Sequence, residues 1–167
     1  MAGVDAEIAF SPHTKQNALL QEVANDVAKA KDCVFYSLAF LHQTKGAIRA
    51  AITKAFKKPN LFIYGISDRK LGGIDLQKPD AKIEPVFPAE LGKDVPNPFK
   101  SEPTGGGGIR MHHKFIVVDF GKPNARVYLG SYNFSGPADT SNGENLLVIR
   151  DPRIVVSYTV EAVRLYS

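Results

Sequence analysis

Apolar residues along this chain switch between a helical repeat and near-continuous runs, and the switches mark out the elements. Residues 7–10 suit a short first strand, closed by Ser11 and Pro12. Over residues 14–31, Leu19, Leu20, Val23, Val27 and Ala30 recur at helical spacing with Glu22 and Asp26 on the polar side, which predicts a helix packed on a sheet. CVFYSLAFL, residues 33–41, is almost wholly apolar, as expected of a strand covered on both faces. A second helix is predicted over 45–58, with Ala47, Ile48, Ala51, Ile52, Ala55 and Phe56 turned inward and Pro59 as its stop. LFIYGIS, residues 61–67, is the next buried strand. Strand, helix, strand, helix, strand predicts an α/β fold with a central sheet between helices.

From residue 68 to 108 the pattern lapses. Six prolines (Pro79, Pro85, Pro88, Pro96, Pro98, Pro103) crowd this segment, and 82–87 is its one convincing short strand. We expect a long loop at the substrate edge, with Lys70, Lys78, Lys93 and Lys100 as candidate backbone contacts. Gly105 to Gly108 lack the Lys and Ser/Thr of a phosphate-binding loop, so they serve as a lead into a hairpin. That hairpin is IRMHHKFIVVDFGKPNARVYLGSYN, residues 109–133, with arms at 109–119 and 126–129. Residues 135–143 read as loop, 144–150 as a strand, and 153–166 as a final helix behind Pro152.

A chain of 167 residues, 44% hydrophobic and 23% charged, forms one domain over 1–167 with a proper core. Its 21 Lys+Arg against 17 Asp+Glu leave +4, a mild bias toward an anionic partner such as nucleic acid, although a well-solvated surface would suffice to explain it. Cys33 is the single cysteine, which excludes an intrachain disulfide and a thiolate zinc site; it reads as a small core residue. MAGVDAEIAF lacks the regions of a signal peptide and no apolar run has membrane-spanning length, so a cytoplasmic chain without stable membrane insertion is expected unless it was cut from a larger one. His13 and His42 read as surface and loop histidines.

Chemistry concentrates on the hairpin. Strand alternation puts His112, Lys114 and Ile116 on one face and His113, Phe115 and Val117 on the other. Gly130, Ser131 and Asn133 end the second arm, and Glu144 opens the next strand. His, Lys, Ser and Asn together supply what a phosphodiester requires: a nucleophile, a fixed positive charge and neutral donors for the non-bridging oxygens.

HHKFIVVD followed by GSYN resembles the phospholipase D superfamily signature H-x-K-x4-D-x6-G-S-x-N. The opening SPH ahead of a helix, the strand FYSLAF, one motif late in a short chain, and SNGENLLVI after it are similar to the compact bacterial endonucleases of that superfamily. One departure is the spacer: residues 120–129 separate Asp119 from Gly130 where the family has six, and the extra residues fall in the turn material Gly121-Lys122-Pro123-Asn124. The resemblance implies a phospholipase D-like α/β/α domain with a mixed sheet, and a two-step displacement through a phosphohistidine that needs neither metal nor cofactor. It assigns His112 as nucleophile, and Lys114, Ser131 and Asn133 as phosphate-binding residues. Glu144 becomes the partner of the catalytic imidazole, while His113 is set aside as structural. Asp119 carries the family's aspartate position, but its parity differs from that of His112 and Lys114. Organising the neighbouring turn, or pairing with a basic group across the site, is its expected role.

A single imidazole cannot stand on both sides of an in-line displacement. One motif without an internal repeat therefore implies a second HKD set from a homodimer partner, or from the other half of a longer chain. An endonuclease is the leading function, with DNA ahead of RNA as partner. The alternatives are a phospholipase D or phosphatidyl transferase, and a nucleic-acid-binding module of a larger restriction or repair protein.

Overall fold

The computed structural model describes residues 3–41, 46–67, 73–77, 82–86 and 112–165. Among the described residues, eight strands form one mixed sheet: β1 (Ala6–Phe10), β2 (Cys33–Leu38), β3 (Phe62–Ser67), β4 (Gly73–Gln77), β5 (Ile83–Val86), β6 (Lys114–Val118), β7 (Arg126–Gly130) and β8 (Asn145–Ile149). Their order across the sheet is β1-β8-β7-β6-β2-β3-β4-β5. Only β2 and β3 run parallel as neighbours; every other pair is antiparallel.

Helices α1 (Leu20–Lys29) and α2 (Ala47–Ala55) cover one face, α3 (Gly136–Thr140) is a short turn of helix, and α4 (Pro152–Arg164) covers the other face. Alternation along the strands sorts the core accordingly. Val34, Tyr36, Ile116, Val118, Tyr128 and Val148 pack with α1 and α2, whereas Phe35, Phe115, Val117, Val127 and Ile149 pack with Val155 and Ala162 of α4. The chain is an α/β/α sandwich, as its repeat pattern implied.

Three differences from the sequence reading have physical causes. The first helix begins at Leu20 rather than near Thr14, because Asn17 adopts a left-handed backbone (φ 58°) that ends any helical run before it. Within residues 68–108 the strand expected over 82–87 is present as β5, and β4, which the sequence reading left in the loop, joins it to β3. β4 escapes a hydrophobicity pattern because Asp75 points inward, buried at 3% exposure, where the Tyr36 hydroxyl donates to it at 2.8 Å. Tyr36 reaches that position across Gly65, where a Cβ would lie 2.2 Å from the ring. Finally, residues 135–143 contain α3, whose N–H of Ala138 is accepted by the Ser135 hydroxyl at 3.3 Å. Lys70, Lys78, Lys93, Lys100 and His42 lie outside the described residues.

Candidate active site

The register puts the candidate residues at one end of the sheet. Lys114 opens β6 opposite Leu38, the last residue of β2, and Gly130 closes β7 opposite Leu146 at the start of β8. This end lies at the carboxyl ends of the parallel strands β2 and β3, where open α/β sheets leave room for a ligand. Lys114 shares the parity of Ile116 and Val118, and Glu144 that of Leu146 and Val148, so both sit on the α1/α2 face.

His112 is exposed and Lys114 is half-buried. The Lys114 Nζ lies 3.0 Å from each ring nitrogen of His112 and donates to the His112 carbonyl at 3.0 Å. The Phe40 ring meets the imidazole edge-on, with centroids 6.2 Å apart. Burial lowers the Lys114 pKa from its usual value, and the Glu144 carboxylate opposes that shift. A partly desolvated ammonium gains by taking up an anion.

On the other side of the site, the Glu144 carboxylate fixes Asn133. It accepts the Asn133 backbone N–H at 2.9 Å and the Asn133 side-chain amide at 3.3 Å, with Asn142 Nδ2 adding a third bond at 2.9 Å. Among the described residues the carboxylate therefore holds Asn133 and Asn142, not the His112 imidazole that the resemblance assigned to it. Glu144 is itself clamped by Ser11, which accepts from the Glu144 N–H at 3.1 Å, donates its hydroxyl to the Asn142 carbonyl at 2.8 Å, and bonds the Glu144 carbonyl through its own N–H at 3.0 Å. Ser131 is held by an exchange with Asn145: its hydroxyl accepts from the Asn145 N–H at 3.0 Å and its own N–H donates to Asn145 Oδ1 at 3.3 Å. Gly130 permits this approach, since it adopts φ 142° and a Cβ there would stand 2.3 Å from the Asn145 carbonyl oxygen. The longer spacer after Asp119 leaves these arms paired across the hairpin, with Phe115 opposite Leu129.

Two residues of the motif lie elsewhere. His113 turns to the α4 face, its Nε2 3.9 Å from Glu161 and its ring against Phe115, in keeping with strand parity. Asp119 is at the far end of β6, about 16 Å along the strand from Lys114. Its buried carboxylate accepts from the N–H groups of Lys31, Asp32 and Cys33 at 3.0, 2.9 and 3.4 Å and from Asn124 Nδ2 at 2.7 Å. Burial pushes its pKa up, but these hydrogen bonds outweigh burial and hold it below the usual carboxylate value. Asp119 thus ties the hairpin tip to the start of β2, and the structure does not bring it to the site.

Other members of the site were not singled out from the sequence, although Ser11 stands in the quoted SPH and Asn145 in SNGENLLVI. Ser11 and Asn145 act on Glu144 and Ser131, and neither belongs to the HKD and GSxN spacing. Asp139, from the segment read as loop, is wholly buried and accepts from the N–H groups of Ala18 and Leu19 and from the Tyr132 hydroxyl, which steadies the residue between Ser131 and Asn133. His13 is not a simple surface residue: it is half-buried, its N–H donates to the Asp139 carbonyl, and its Nε2 is enclosed. The Cys33 thiol is buried, and burial raises its pKa to about 11, which leaves it inert.

Comparison with known proteins identifies the family and the fold. Residues 28–166 match the family described as cardiolipin synthase, PLD-like domain. A phospholipase D of Rickettsia conorii is 28% identical over 137 residues, covering 81% of this chain and 58% of that protein. A mitochondrial cardiolipin hydrolase of Chlamydomonas reinhardtii is 37% identical over 58 residues, 34% of this chain and 24% of its own length. The chain therefore spans between a quarter and about three fifths of these curated relatives. Among solved structures, Nuc of Salmonella typhimurium, a phospholipase D family member, superposes with a TM-score of 0.56 at 19% identity, covering 97% of this chain and 93% of that one. NucT of Helicobacter pylori gives 0.57 at 18% identity, with coverage of 96% and 95%. With the family model matched over five sixths of its length, the chain belongs to the PLD-like domain family of the phospholipase D superfamily.

Proposed function

We propose that this chain is a metal-independent phosphodiesterase that cleaves nucleic-acid backbones through a phosphohistidine on His112. The observation that carries this is the His112 imidazole and the Lys114 ammonium packed together at the mouth of the sheet. Glu144, whose charge acts on Lys114, holds the Asn133 amide. In the first step an imidazole nitrogen attacks phosphorus and the bond to the leaving oxygen breaks, that oxygen taking a proton from a general acid opposite. In the second step water attacks the phosphohistidine and frees His112. Lys114, Ser131 and Asn133 stabilise the equatorial oxygens, so the charge a metal would neutralise is met by side chains. The opposing general acid comes from His112 of a second copy across a twofold axis, because one chain supplies one such imidazole.

Nucleic acid is favoured over lipid by the likeness in fold to Nuc and NucT. The net positive charge adds to that preference. Phospholipid cleavage is the second reading, favoured by the names of the curated relatives. Incubation with single- and double-stranded DNA, RNA and cardiolipin vesicles in EDTA separates the two. DNA cleavage should persist in chelator, fall by about 10³-fold or more in His112→Ala, and stay within a few-fold in His113→Ala. A His112→Ala variant that cuts as well as the parent overturns the mechanism, and turnover of cardiolipin alone overturns the substrate.

A further inference from the structure

We propose that the groove between α1 and α2 is an exosite that holds the nucleic-acid strand flanking the cleaved bond. The proposal rests on the nuclease reading and extends it to a surface outside the reaction centre. α1 follows β1 and α2 follows β2, and both of those strands end at the site, so both helices run from the site end toward the opposite end of the molecule. The groove between them is consequently a track, with Gln21 and Gly46 at the site end and Lys54 and Lys57 toward the far end.

Its walls suit a phosphate backbone. Ala24, Ala28, Ala47 and Ala50 keep the floor low, and Gln21 and Asn25 present amides along one wall. Lys54 and Lys57 stand exposed on the other wall, and neither is in an ion pair among the described residues. No lining side chain is acidic: Asp26, on the neighbouring turn of α1, is turned to Arg126 and Tyr128. From Gly46 to Lys57 the track is about 16 Å long, room for several nucleotides at about 3.4 Å or more per step. A bilayer is a poorer occupant, because the lining offers no large apolar side chain for insertion. The groove would thus lengthen the grip on the strand without touching the reacting phosphorus.

The test combines Lys54→Gln with Lys57→Gln and measures three quantities. The ratio of kcat/KM for a 40-nucleotide single-stranded DNA to that for bis(p-nitrophenyl) phosphate, which is too small to reach the groove, should fall about 10-fold. In the His112→Ala background, where the strand survives, the slope of log Kd for that single strand against log salt should flatten by about 1.4, roughly 0.7 for each lysine. Binding to phosphatidylglycerol vesicles is the third. An unchanged ratio and slope overturn the exosite even if the parent cuts DNA. A loss confined to vesicle binding overturns it in favour of a membrane. A parent that turns over the small diester but does not cut DNA, yet loses salt slope with the two lysines, keeps the groove as a nucleic-acid site and removes the nuclease reading instead.

Discussion

Asp119 gathers three backbone N–H groups from the start of β2 and the Asn124 amide on one carboxylate at 1% exposure, while holding a left-handed backbone at φ 53°. Removing it strands four donors, so Asp119→Ala should lower unfolding free energy by about 3 kcal/mol in urea titrations, leaving kcat of the folded enzyme within twofold. Asparagine tolerates the same backbone and keeps one acceptor, so Asp119→Asn should cost less. The carboxylate's folded pKa is held below its unfolded value of about 3.9, so its stabilisation is complete above that pH and is lost as pH falls through the depressed value. The stability gap between parent and Asp119→Ala should accordingly narrow only below about pH 4. A large kcat loss with intact stability would return Asp119 to the reaction.

Helix α1 shows how one element depends on another. The N–H groups of Ala18 and Leu19, in the turn that leads into it, are satisfied not by a neighbour in sequence but by Asp139, 121 and 120 residues away. The same carboxylate takes the Tyr132 hydroxyl at 2.6 Å. Asp139→Ala should therefore cost about 3 kcal/mol and also reduce kcat, because Tyr132 steadies the backbone between Ser131 and Asn133; thermal melts and initial rates check the pair of effects. Such links explain which elements were legible in the sequence. Those whose apolar residues repeat, β2, β3, β6, α2 and α4, are readable because the repeat is a local property. The parity of His112 and His113 comes from one strand, and the structure keeps it. β4 hides behind Asp75, whose burial makes sense only with Tyr36 in place. Ser11 and Asn145 stand in the SPH and SNGENLLVI stretches, but their bonding does not show because their partners are 133 and 14 residues away, and Glu144 could be found by position but not by its bonding to Asn133.

For the whole molecule, the proposed chemistry is bimolecular in protein until two copies meet. Specific activity should drop on dilution through the dimer dissociation constant, with sedimentation showing dimer at concentrations where activity is full. In mixtures of parent with excess His112→Ala chain, most parent protomers would sit opposite an alanine and activity should fall well below that of the parent alone at equal amount. Activity that stays proportional to parent concentration across dissociation would require a monomeric mechanism.

The pairing of β1 with β8, Phe10 against Asn145 and Ala6 against Ile149, joins nearly the two ends of the described chain. During synthesis β1 must wait for β8 to leave the ribosome, and Ser11 cannot grip Glu144 before then. Up to that moment His112 and Lys114 are already translated while Asn133 has no carboxylate to hold it. In the proposed mechanism a partly made chain would therefore lack the Glu144 hold on Asn133, and the site is completed only once β8 has taken its place beside β1.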